Sequence, residues 1–591
     1  MTAPLEATPD RLPDPMDWRQ VPAATGLLAT FNAAGVLNAA DIHVAQRCCA
    51  LADEAGEVVA LAVALTVRAL REGSVCVDLT TVAEEVSNGA DGDLPWPAPD
   101  ELIAAVAGSP LTGTAIQLDH ERLLYLDRYW REEQQVCTDL LTLSAQGSQS
   151  VTDIDLDIDL ERLFPPTGFA EQRAAAHLAL TQPVTVLTGG PGTGKTTTVA
   201  RLLALLAQAA HPGRLRIALA APTGKAAARL QEAVSAEVDK LDAADQERLS
   251  GLRAVTLHRL LGGRPDSASR FKHHRGNRLP HDVIVVDETS MVSLTLMARL
   301  LEAVRPDARL LLVGDPDQLT SVQAGAVLAD LVDGLADHPS IQIAALRTTH
   351  RFGAAIGGLA EAIRSGAADQ VLALLRSGNP AIEFVEVPDP TAVLRPALVG
   401  HALRVRECAL LGAGDDGLAA MDEHRLLCAH RDGPFGVRHW NRQVERWITD
   451  ETGQATWSPW YPGRPLLVTA NDYALGIYNG DTGVVAAGPD GVQVYIASAT
   501  ATQQFSPSRI VDVETMYALT IHKSQGSQAG EVTVILPPAD SRLLTRELFY
   551  TAVTRAKKKV RIVGSADEVR AAVERQALRA SGLRDRLRAS T

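Results

Sequence analysis

Residues 184–200 read VTVLTGGPGTGKTTTVA, a β-branched apolar run that enters a glycine-rich turn and leaves it through a lysine and three threonines. That order suits a polyphosphate. Gly189, Gly190, Gly192 and Gly194, with Pro191 and Thr193 between them, leave room for consecutive backbone N–H groups to face one anion. Lys195 is placed to reach the outer phosphates, Thr196 to offer a hydroxyl to Mg²⁺, and Thr197 to close the cradle. Further along, VIVVDETSMV (283–292) sets Asp287 and Glu288 at the end of an apolar strand. With a phosphate loop upstream, Asp287 is expected to hold Mg²⁺ through water and Glu288 to orient or deprotonate the attacking water. RLLLVGDPDQLTSV (309–322) ends another strand in Gly314, Asp315 and Gln318, whose amide can sense a γ-phosphate by hydrogen bonding. ATP and Mg²⁺ are the expected ligands.

Such groups need a sheet to bring them together. VTVL, LRIALAA, VIVVDE and RLLLVGD are short β runs separated by helical patterns, the signature of a parallel α/β sheet. This block runs over 151–345, opening on the acidic, alternating tract VTDIDLDIDL, which reads as a linker. A second α/β block covers 346–591 and includes HRLLCAH, VTVILPP and KVRIVGS; inside it the glycine- and β-rich stretch near 480–512 predicts a small barrel or hairpin module. Residues 1–150 read as a helical domain, with apolar faces at helix spacing in AADIHVAQRCCALADEA, EVVALAVALTVRALREG and HERLLYLDRYWREEQQV.

Composition narrows the class. A chain of 591 residues, 46% hydrophobic and 21% charged, is long enough for several cores. Its net charge of −15 argues against indiscriminate capture of nucleic acid, though not against a narrow basic channel. The densest basic run, RFKHHRGNR at 270–278, reads as a solvated loop on charge alone. VVALAVALTV is too short to span a bilayer, and the first residues carry no basic, apolar, small-residue signal, so a cytoplasmic protein with no membrane partner is expected. The six cysteines form no CxxC pair and are expected to be reduced thiols.

Taken in order, the motifs resemble the superfamily 1 helicases. Gln172 in GFAEQRAAA matches the glutamine that reads adenine in that family; then come the cradle, APTGKAAARL, TLHRLLG, DETSM and GDPDQL. LRTTHRFG, ALTIHKSQGSQ and RELFYTAVTRAKKKV follow in the second block. The resemblance implies two tandem RecA-like motor domains, with Arg351 and Arg555 reaching across a cleft to stabilise the charge that spreads over the γ-phosphoryl oxygens. A guanidinium so placed is worth roughly 10³–10⁵ in rate. His350 stands where many relatives put a tyrosine.

By the same resemblance, single-stranded DNA is held by Thr223, Gly224, Lys225, Thr256 and His258 from the first block, and by Thr520, His522, Lys523 and Ser524 from the second. An N-cap would use the same threonine hydroxyls. Aromatics make up only 4% of the chain, so backbone contacts fit better than a stacking ladder. The pattern looks like the RecD-type branch, which travels 5′ to 3′; in that branch a duplex-splitting hairpin lies where this chain has 262–280, and the insert is SH3-like. Asn471, Asn479, Gly480, Asp481 and Gly483 match a second-block signature, the glycines setting turns into the insert.

Within the branch, VVALAVALTVRALREGSVCVDL and LLYLDRYWREEQ resemble the subunit type found in the RecBCD helicase-nuclease rather than the longer stand-alone helicases. The resemblance implies RecB-like and RecC-like partners, docking through 1–150, DNA engaged by its 5′ end at a duplex terminus, and nuclease chemistry in a partner. A stand-alone repair helicase and a regulatory subunit with a silent ATP site are the alternatives; the full set of catalytic residues speaks against the second.

Overall fold

The computed structural model describes residues 19–87, 94–145, 156–210, 213–264, 267–339, 341–348, 353–454, 456–472, 474–497, 502–577 and 579–590. Its first large sheet has six parallel strands in the order Ile343–Leu346, Val184–Gly189, Arg309–Gly314, Val283–Val286, Ile217–Ala221 and Ala254–Thr256. Both faces are covered, which is why these strands are continuous apolar runs. Val184, Val186, Ala218, Ala220, Ile284, Val286, Leu310 and Leu312 face one core. Leu187, Leu219, Val283, Val285, Leu311 and Val313 face the other. Every strand ends toward the same edge, where an α/β sheet presents its ligands.

The second large sheet is also parallel, in the order Ile382–Val385, Ala556–Val563, Ala529–Ile535, His424–Cys428 and Ala518–Thr520. Helix Arg546–Val553 leads through Arg555 into the strand beginning at Ala556. A separate five-stranded antiparallel sheet is made by Thr502–Phe505, Gly491–Ala497, Thr482–Gly488, Pro465–Val468 and Val513–Thr515. It starts earlier than the β-rich stretch near 480–512, because Pro465–Val468 pairs with strands on both sides.

Residues before the first large sheet are mostly helical, but they also hold a three-stranded antiparallel sheet of Val77–Asp78, Leu123–Leu126 and Ile116–Asp119. The apolar run LLYL, expected to open a helix, is the central strand, and the helix begins only at Asp127. A four-residue apolar run has no period long enough to tell strand from helix. His120 and Glu121 sit at φ 48° and 58°, making the tight turn that sends the chain back on itself. In the tract read as a linker, Leu156–Leu163 is helical.

Helix Asp127–Ala145 joins the core of the first lobe through Val136, Leu140 and Leu143. The C-terminal helix Leu583–Ala589 enters the same core through Leu583 and Leu587, away from the second sheet that precedes it in sequence. Glu133 fixes that return: fully buried, it accepts bonds from Ser581 Oγ (2.8 Å), Gly582 N (3.2 Å) and Tyr125 OH (3.2 Å) and pairs with Arg586. No helix among the described residues is long and apolar enough to cross a membrane.

Candidate nucleotide site between two lobes

The glycine-rich turn leaves strand Val184–Gly189 and enters helix Lys195–Ala209. Gly192 and Gly194 hold φ of 84° and 88°, a region costly for any residue with a Cβ, so the turn that aims its N–H groups inward depends on them. At Gly189 a Cβ would lie 2.5 Å from Thr193 Oγ1 and 2.8 Å from Leu346 O. Thr193 is buried and donates to Gly190 O at 2.9 Å, bracing the loop from inside. Pro191 is half-buried at the turn. Lys195 Nζ donates to Gly189 O and, at 3.0 Å, to Gly190 O. Thr196 and Thr197 are half-buried at the first turn of the helix, at its positive end.

Gln172 is 3% exposed, and its amide donates to Thr193 O at 3.3 Å, so it contacts the phosphate loop. Asp287 and Glu288 follow strand Val283–Val286 directly. Glu288 is a non-glycine residue in the left-handed region, φ 51° and ψ 41°, and its N–H is held by Asp287 Oδ1 at 2.9 Å. Such backbone costs about 1–3 kcal/mol and clusters at active sites. Burial pushes the Asp287 carboxyl up, Glu288 beside it adds to the rise, and Lys195 opposes it.

Gln318 is 4% exposed and its side chain is pinned at both ends. Nε2 donates to Asp315 Oδ2 at 2.8 Å, and Oε1 accepts from Arg555 Nη2 at 3.1 Å. Arg555 belongs to the second lobe, is 4% exposed, and is steadied by Nε donating to Thr551 O at 2.9 Å. Arg555 and Gln318 thus meet across the two sheets. Arg351 and His350 lie outside the described residues.

Three further residues join the seam, and the motif reading gave none of them a role. Tyr550 OH donates to Asp315 Oδ2 at 3.2 Å, Thr551 Oγ1 accepts from Leu319 N at 2.9 Å, and Gln525 Nε2 donates to Leu319 O at 2.6 Å. Their signal in the sequence was their place inside YTAVTRAK and HKSQG, beside residues already singled out.

The residues expected to hold DNA fall into two groups. Thr223, Thr256 and Thr520 accept backbone N–H bonds from Ala226 (3.2 Å), Arg259 (3.2 Å) and Lys523 (3.3 Å), the first two as N-caps. Gly224 lies under Tyr478, whose Cβ would be 2.7 Å from an added Cβ. Lys225 is half-buried against Gly480, and burial, then Arg229 and Arg425, push its ammonium down to about 7. His258 is exposed with its ring against Phe271. His522 is half-buried, Lys523 pairs with Glu514 at 3.1 Å, and Ser524 is buried and donates to Ile521 O at 2.7 Å.

A hairpin of Gly263–Arg264 against Ser267–Phe271 leads into the basic run, which continues past it through a tight turn bridged between His274 and Asn277. Its charge is partly spent inside the molecule: Arg275 pairs with Asp139 at 2.7 Å and Arg278 donates to Val304 O. Asn471 and Asp481 accept from the N–H groups of Asn479 (2.9 Å) and Tyr478 (2.8 Å), and Gly480 takes φ 96°, so this signature builds a turn.

A phosphate loop on one parallel sheet, completed by an arginine from a second, defines a two-lobed P-loop motor of the helicase class. The sequence comparisons agree. Residues 172–324 match an AAA domain, 515–563 a UvrD-like helicase C-terminal domain, and 33–123 the N-terminal domain of the RecBCD enzyme subunit RecD. The RecBCD enzyme subunit RecD of Mycobacterium tuberculosis (strain CDC 1551 / Oshkosh) is 64% identical over 96% of this chain and 98% of its own length. That of Mycolicibacterium smegmatis is 64% identical over 95% and 99%. The ATP-dependent RecD2 DNA helicase of Deinococcus radiodurans is 31% identical over 81% of this chain and 61% of that protein. Among solved structures, Bacteroides Pif1 bound to ssDNA is similar at 18% identity and TM-score 0.38, over 67% of this chain and 91% of that one. The chain belongs to the RecD family, the helicase subunits of RecBCD-type enzymes.

Proposed function

We propose that the seam between the two parallel sheets is a Mg·ATP site whose hydrolysis drives this chain 5′ to 3′ along one DNA strand, as the helicase subunit of a complex with RecB-like and RecC-like partners at duplex ends. The observation that carries it is the bond from Arg555 of one lobe to Gln318 of the other, linked through Asp315 to Tyr550, whose hydroxyl lies against Gly190 of the phosphate loop.

The donor set fits a magnesium triphosphate. Lys195 spends its ammonium on two backbone carbonyls, weak acceptors that phosphate oxygens would outbid. Thr196 and Asp287 would hold the metal, which when bound neutralises charge on the outer phosphates. Glu288 orients the attacking water from a backbone held in the left-handed region. Gln318 and Arg555 face the developing charge on the transferred group from opposite lobes. Arg351 is proposed as a second cation from the far lobe, and Gln172 as the adenine reader once released from Thr193 O.

DNA would cross both lobes through Thr223, Gly224, Lys225, Thr256 and His258, then Thr520, His522, Lys523 and Ser524, bound by phosphates and sugars and so without sequence preference. The five-stranded antiparallel sheet is read as an SH3-like module, and the hairpin after Gly262 as the element that splits the duplex. Docking on a RecC-like partner through the helical N-terminal domain is supported by Leu51, 70% exposed, and Val44 on the same helix. Nuclease chemistry belongs to a partner, and the cytoplasm is the proposed location.

The test is DNA-stimulated ATP hydrolysis by the full chain and by Lys195→Gln. The reading requires stimulation by single-stranded DNA in the first and its loss in the second; stimulation that survives the substitution would sink it.

A further inference from the structure

Four side chains from the two lobes form one chain of hydrogen bonds whose directions are chemically forced. An ionised Asp315 can only accept and Arg555 can only donate, so Gln318 must turn its NH₂ to Asp315 and its oxygen to Arg555. Tyr550 completes the chain from the second lobe, its hydroxyl donating to the same Asp315 oxygen that Gln318 uses. The other Asp315 oxygen accepts from Asp317 N at 3.2 Å. With Asp315 only 2% exposed and no cation paired to it among the described ion pairs, these donors are what hold its charge in place.

Tyr550 also reaches the phosphate loop. Its hydroxyl lies 3.0 Å from the point where a Cβ on Gly190 would project, so a phenol from one lobe closes over a glycine of the other. The residue is 5% exposed and sits on helix Arg546–Val553, which runs directly into Arg555. Burial and the neighbouring Asp315 and Asp317 hold the phenol in its protonated, donating form.

We propose that Tyr550 is a positioning residue of the nucleotide site: from across the lobe boundary its hydroxyl fixes Asp315, and through Asp315 the amide of Gln318, at the outer end of the phosphate loop. The proposal rests on the reading of the seam as an ATP site. Its consequence is an asymmetry between the two contacts of Gln318. When Arg555 turns from Gln318 to a more negative acceptor, Tyr550 and Asp315 keep the amide from following it. One lobe thus supplies both the guanidinium that moves and the hydroxyl that holds its former partner still.

The test is steady-state ATP hydrolysis by the full chain, with saturating oligo(dT), for Tyr550→Phe, Asp315→Asn and the double variant. Phenylalanine keeps the ring and its packing, so thermal unfolding should be shifted little. Tyr550→Phe is expected to lower kcat about tenfold with KM for ATP changed less than about twofold, the signature of an interaction used in the transition state. The double variant should be no more than about twofold worse than the weaker single variant, because both remove one linkage. An unchanged kcat in Tyr550→Phe, or losses that multiply in the double variant, would overturn the proposal. Lys195→Ala separates this from the underlying reading: hydrolysis that survives it would come from another site and would defeat the ATP-site reading itself.

Discussion

Arg555 Nη2 lies 3.1 Å from Gln318 Oε1, although 237 positions separate the two residues and they belong to different parallel sheets. The amide oxygen of Gln318 is a neutral acceptor, and hydrogen bonds to ionised acceptors are roughly twice as strong. In the proposed ATP site, a phosphate oxygen would be the stronger acceptor for Arg555.

Arg555→Lys keeps the charge but loses the planar fork. Turnover of ATP is expected to fall by about 10³ or more, the range found for arginines that serve phosphoryl transfer, while nucleotide binding changes little. Single-turnover hydrolysis beside equilibrium binding of a fluorescent ATP analogue separates the two. A loss confined to binding would show that Arg555 holds the ground state only.

At Glu288 a proposed role coincides with strain. Replacing it with glycine removes the acid and relaxes φ 51°, so Glu288→Gly should abolish turnover and raise stability by about 1 kcal/mol. Glu288→Gln should cost about 10²–10⁴ in rate without that gain. Denaturant unfolding of the three proteins checks the pairing of effects.

In the proposed DNA path, Lys225 would bring a pH dependence. Its ammonium, pushed down to about 7 by burial and by Arg229 and Arg425 against Asp422 and Asp481, is charged below that pH and neutral above it. Affinity for single-stranded DNA should thus fall as pH rises from 6 to about 8.5, with the salt slope smaller by about one at the high end. In Lys225→Arg the charge persists and the trend should flatten; fluorescence anisotropy of a labelled oligonucleotide reads both.

The C-terminal return rests on a fit with no spare room. A Cβ at Gly582 would lie 2.3 Å from Tyr125 OH and 3.3 Å from Glu133 Oε2, so Gly582→Ala should destabilise by about 1–3 kcal/mol. Glu133→Gln turns an acceptor of three bonds into a group with donors facing donors, at a cost of about 1–3 kcal/mol. Urea unfolding measures each.

What the sequence disclosed follows the range of the interactions. The cradle at 189–197 and the acids at 287–288 were legible because each is a local run with its strand and helix attached. That Arg555 would cross to the first lobe was expected only through resemblance, its bond to Gln318 was not foreseen, and Tyr550 carried no signal beyond its place in YTAVTRAK, 360 residues from the loop it covers. LLYL was not legible as a strand because four apolar residues carry no usable period. The helix Leu583–Ala589, dense in arginine, gave no hint that Leu583 and Leu587 would fill the core of the first lobe.

The most direct measurement is unwinding of duplexes bearing a single-stranded tail on one side only, by the full chain and by Lys195→Gln, with ATP and Mg²⁺. The account predicts strand separation from a 5′ tail, none from a 3′ tail, and none by the variant on either. Unwinding from the 3′ tail, or activity that persists in Lys195→Gln, would contradict it.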